Sequence, residues 1–165
     1  MSNTNAQPPL QQQEQMIEWL SLFLLIAMCL YAVMKFGYLP DSVPQHFNAH
    51  GEPDSWGSKG VIFLGPGIAI GTYFLFYFIL KMSPESYNYP VKITEENKDY
   101  QYALSRILLK VTNLWTMVLM AFITWAIIAE AGGIRGAMNP VVLWTIIGSL
   151  FLVIAAYIYL ARKAR

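Results

Sequence analysis

Four side chains that could do chemistry stand close together in this chain: His46, His50, Glu52 and Asp54. Imidazole nitrogens and carboxylate oxygens are the donors that hold Zn²⁺ or a similar divalent metal, so the set reads as a candidate metal site and, by extension, a metal-dependent membrane-embedded enzyme. Histidines four apart converge only on a helical turn. Pro44 could start such a turn, but Gly51 and Pro53 would stop it at once. A metal hydrolase also needs a shaped cavity that shields the reaction.

The same stretch has a non-catalytic reading. Asn48, Gly51, Pro53 and Gly57 form turns, Asp and Ser side chains bond nearby amides, and Trp56 suits a membrane interface. Residues 39–59 would then be an ordered outward cap on a helical domain, with His46 as a hydrogen-bonding strut. Its ligand-recognition candidates are His46, Phe47, Asn48, His50, Gly51, Glu52, Asp54, Trp56 and Lys59. None is assigned a catalytic role.

The elements that must position this loop follow from composition. Of 165 residues, 56% are hydrophobic and 13% charged, where a soluble domain carries roughly a quarter charged residues. Residues 60–80, 111–129 and 136–161 contain no charged residue or histidine, and 19–34 form a shorter run. About 20 apolar residues cross a bilayer. The expectation is an all-α integral membrane protein, an antiparallel four-helix transmembrane bundle with helices at about 16–38, 60–81, 94–131 and 140–162. Too little chain remains for a separate soluble domain, which excludes a kinase, nucleotide-binding or protease domain, and no nucleic-acid partner is expected.

The amino-terminal stretch 1–15, rich in Gln, Asn and Pro, reads as a disordered tail and not a signal peptide. Thr94 is expected to cap the third helix, with Glu95 and Glu96 facing the positive end of its dipole. In the second helix Gly65, Pro66, Gly67 and Gly71 predict a kink or hinge and close helix packing, and Asn113 in the third predicts an interhelical hydrogen bond. No ionisable group lies mid-span, which argues against an autonomous transporter. Lone Cys29 excludes an intramolecular disulfide.

Eight basic residues fall on the side shared by the amino terminus, the second loop and the tail, against Lys35, Lys59 and Arg135 on the other. The positive-inside rule makes the first side cytoplasmic, with both termini, and turns the motif loop outward.

The run Leu39-Pro40-Asp41, Pro44, His46-Phe47-Asn48, Gly51-Glu52-Pro53-Asp54, Trp56-Gly57 and Lys59, set between two apolar helices, resembles the uncharacterised bacterial membrane domain that forms the amino-terminal part of SdpI-type immunity proteins. The resemblance covers about residues 20–80. It implies residence in the cytoplasmic membrane of a bacterium, protection against a secreted peptide toxin, and retention of a cognate repressor at the membrane. It carries no catalytic residue.

These observations favour a non-enzymatic membrane protein whose outward loop recognises a peptide, lipid or partner in an immunity, sensing or accessory role. The metal enzyme is one alternative. A small subunit of a transporter or signalling complex is another. The partners expected are the lipid bilayer, a peptide ligand or membrane-protein partner, and a second copy of the chain.

Overall fold

A computed structural model describes residues 8–165, with side chains from Gln12 onward. Its order is α1 (Pro8–Phe36), β1 (Ser42–Phe47), β2 (Pro53–Ser58), a 3-10 segment (Lys59–Phe63), α2 (Leu64–Lys81), α3 (Lys98–Ala131) and α4 (Pro140–Lys163). A short 3-10 turn, Pro84–Ser86, lies between α2 and α3. Four helical stretches, Gln12–Phe36, Lys59–Lys81, Lys98–Ala131 and Pro140–Lys163, are long and apolar enough to cross a membrane. The chain is thus mostly helical and of multi-pass membrane type.

Three features depart from the expectation. The class is not all-α, because residues 42–58 fold back as an antiparallel hairpin. Of the expected tail 1–15, residues 1–7 lie outside the described residues, and the chain is helical from Pro8. Proline suits a first helical turn, and the Gln and Glu residues that follow are good helix formers despite their polarity. The four helices also do not close evenly on a shared core. α3 packs against α1, α2, α4 and the hairpin, whereas α4 packs mainly on α3, and none of α4's most apolar stretch is buried. A helix apolar all round is stable in that setting only with lipid as its solvent.

Where α3 meets α4, the Trp115 indole N–H donates to the Ile146 carbonyl at 2.7 Å, and Gln101 donates to the Ala161 and Ala164 carbonyls at 3.0 and 3.1 Å. The second pair of bonds satisfies acceptors that the end of α4 leaves open. Asn139 caps the start of α4 by accepting from the Val141 and Val142 amides. Thr94 and Asn97 exchange backbone-to-side-chain bonds, forming a capped turn that precedes α3, which begins at Lys98.

Gly65 makes the close α2–α3 approach: a methyl group there would overlap the Thr124 hydroxyl. Gly67 and Gly71 face open space, so helix contact does not depend on them. Pro66 lies in the first turn of α2, where its missing N–H breaks no helical bond. The irregularity expected at this proline is the 3-10 segment just before it.

Candidate functional site: the hairpin cap

The hairpin is seated on the end of the helices by its own apolar residues. Val43 is fully buried in a cluster with Ala32, Leu39, Ile62, Ile127 and Ile128, and Phe47 packs against it. Ser42 pairs with Ser58 and Phe47 with Pro53. The pairing is irregular between Pro44 and Phe47, so simple alternation of inward and outward residues fails there.

Most of the motif's polar side chains hold the hairpin together. At its base, Lys59 pairs with Asp41 at 3.1 Å, and the Lys59 ammonium lies 5.2 Å from the centre of the Phe36 ring. Midway, His46 Nδ1 lies 2.6 Å from Asp54 Oδ1, bridging the two strands. At the tip, Asn48 Oδ1 accepts from the His50 and Glu52 amides at 2.9 and 3.1 Å, while its Nδ2 donates to Glu52 Oε2 at 3.1 Å. Asn48 therefore does the work of a turn template. Gly51 has φ +78° and is buried against the α3–α4 connection, which is itself held by Glu130 accepting from the Ala137 amide at 3.1 Å.

The four sequence-level metal candidates do not converge. His46 is matched with Asp54 and Glu52 with Asn48, while His50 stays exposed with its amide tied into the turn. Among the described residues no group of three or more His, Cys, Asp or Glu side chains could hold a metal ion. The reason is local: Asn48 and Gly51 make a tight turn, which separates side chains that one helical turn would have brought together.

Residues 23–70 match a family model described as a domain of unknown function, DUF1648. The match spans the second half of α1, the hairpin and the start of α2, so it coincides with the segment that carries the cap. An uncharacterised protein of Archaeoglobus fulgidus is 30% identical over 105 residues, a stretch covering 56% of this chain and 57% of that relative. The chain therefore matches little more than half of the relative's length. No solved structure matches.

Between the DUF1648-matching hairpin and the helices lies a cleft of about 330 Å³. Gln45, His46 and Asn48 contribute polar groups, and Phe47, Ile123, Ile127, Met138, Leu143 and Trp144 an apolar lining. Trp144 is 62% exposed and Trp56, on the outer strand, 54%. The helix residues of this cleft were invisible as a site in the sequence, where each reads as an ordinary membrane-span residue.

A second polar centre lies at the opposite end of the helices. Lys110 of α3 meets Glu18 at 3.0 Å and Glu14 at 3.3 Å, both on α1, and Arg106 meets Glu14 at 3.4 Å. Residues four apart share a helix face, so two acidic positions on α1 face two basic ones on α3 as a ladder. Asn113, one turn beyond Lys110, is buried, and its Oδ1 has no partner among the described residues. Among the described residues the interhelical bond expected of Asn113 is not made through that oxygen.

Proposed function

We propose that this is a non-enzymatic membrane recognition protein, in an immunity, sensing or accessory role, whose cap presents the cleft beneath it to an amphipathic peptide. The supporting observation is a division of labour within the motif. Asp41, His46, Asn48, Glu52, Asp54 and Lys59 bond with one another and fix the hairpin, leaving Trp144, Phe47 and Leu143 to line an open, mainly apolar cleft. Rigid support around an apolar recess with a few polar rim groups suits capture of a hydrophobic side chain. The resemblance to the SdpI-type domain, with which the DUF1648 match is consistent, makes a secreted peptide the first ligand to test.

Deleting the gene is expected to raise sensitivity to at least one of a panel of secreted antimicrobial peptides. Wild-type protein restores protection and Trp144→Ala does not. Unchanged sensitivity across the panel overturns the reading.

The cap faces outward in this reading, with both termini cytoplasmic in a bacterial cytoplasmic membrane, because eight of the eleven basic residues lie toward the other end. A reporter fused after Arg165 should be active only in a form that works in the cytoplasm. An exported reporter reverses the orientation and removes the cap from the face that secreted peptides reach.

A further inference from the structure

A more polar cavity than the one under the cap lies at the other end, a cleft of about 480 Å³ between α1, α2 and α3. Lys81, Arg106 and Lys110 line it with Glu18, and Glu14 pairs with two of those cations. Three cations thus face two carboxylates. Lys81 has no carboxylate partner among the described residues; its ammonium lies 5.3 Å from the centre of the Tyr77 ring. Deeper in, Asn113 is 8% exposed, and its Oδ1 is a buried acceptor without a donor among the described residues. Asn113 stands three residues beyond Lys110, about 4.5 Å of helix rise farther in.

We infer that this cleft holds the headgroup of an anionic phospholipid bearing a free hydroxyl, of the phosphatidylglycerol type. The single surplus positive charge matches the single negative charge of a phosphodiester. Lys81 is the last residue of α2, where an apolar span ends and lysine reaches lipid phosphates. Asn113 lines the cleft, and a small turn of its amide toward that space would let a glycerol hydroxyl supply the donor that Oδ1 lacks among the described residues, since a buried polar atom is normally paired. Leu80 and Met82 give the mouth an apolar edge along which acyl chains can leave toward the bilayer. The site is separate from the cap and does not depend on the peptide reading.

Native mass spectrometry of the purified chain in detergent, with equal amounts of phosphatidylglycerol and phosphatidylcholine, tests the assignment. Retention of one phosphatidylglycerol is expected at about fivefold preference, the worth of one basic contact at a lipid surface. Lys81→Gln should abolish the preference, whereas Lys163→Gln, exposed at the end of α4, should keep it. Asn113→Leu should weaken retention of phosphatidylglycerol but not of phosphatidylmethanol, which has the same charge and no headgroup hydroxyl. Equal retention of the two natural lipids, or equal losses in Lys81→Gln and Lys163→Gln, overturns the proposal. Displacement by glycerol 3-phosphate at equal concentration overturns the lipid assignment in favour of a free phosphate ester. Should Asn113→Leu fail to fold, exposed Lys81 still decides.

Discussion

Lys110→Met is expected to destabilise the protein by about 3 kcal/mol, read as a lowered unfolding midpoint in detergent. The lysine side chain is 9% exposed and Glu14 12%. Removing the shared cation leaves a mostly buried carboxylate facing Arg106 alone, at 3.4 Å. Breaking a buried pair by deleting one partner costs about 3–5 kcal/mol, because the remaining charge has lost its water without compensation. The lower end of that range applies here, since Arg106 stays and Glu18 is 52% exposed. Neutralising the whole ladder should hurt less than breaking it: Glu14→Gln, Glu18→Gln and Arg106→Gln added to Lys110→Met should recover much of the loss. A single variant within about 0.5 kcal/mol of wild type, the usual range for surface changes, would show that the ladder is solvated and does not tie α1 to α3.

The ladder also shows why one half of the molecule was legible in the sequence and the other was not. Each of its charges flanks an apolar run, so each reads alone as an interface residue. Glu14 even falls in a stretch whose polar composition suggests a tail. Only the packing of α1 along α3 reveals that positions 92 residues apart, Glu18 and Lys110, meet. The spans themselves are legible because a run without charges has one common explanation, lipid. Their ends are less so. Pro8 starts a helix the composition argues against, and Lys59 begins a 3-10 turn before α2.

The hairpin sits between these cases. Its residues were identifiable as an ordered motif, but not as strands. Pro44 and the irregular pairing that follows it disrupt the two-residue period by which strands are recognised. Once the turn at Asn48 is known, the motif residues explain one another: His46 with Asp54, Asn48 with Glu52, Asp41 with Lys59. A metal reading treats the four candidates as one set, whereas the turn divides them. The cleft beneath them was hidden for another reason. Ile123, Ile127, Leu143 and Trp144 come from two later helices, and nothing in an apolar run tells which of its residues face a recess and which face lipid.

Gly51→Val is expected to release the cap, and a comparison with Gly133→Val separates the two causes. Both glycines have left-handed backbone, φ +78° and +93°, which costs a residue with a side chain about 1–2 kcal/mol. Gly133 has nothing within 4 Å of an added Cβ, so strain is all its substitution brings. At Gly51 the added carbon would overlap the Met138 carbonyl oxygen and come within 3.0 Å of Pro140 Cδ. A main-chain oxygen and a proline ring cannot turn aside as a flexible side chain can. The hairpin tip must lift from the α3–α4 connection, adding about 1–3 kcal/mol of overpacking cost. Gly51→Val should therefore lower stability by about 3 kcal/mol or more in total and speed hydrogen exchange of the Asn48–Glu52 turn amides, while Gly133→Val leaves that exchange at the wild-type rate. If the two variants lose equal stability with the turn still protected, the cap is not pinned through Gly51. If only Gly51→Val also abolishes peptide protection, recognition requires the cap in its docked position.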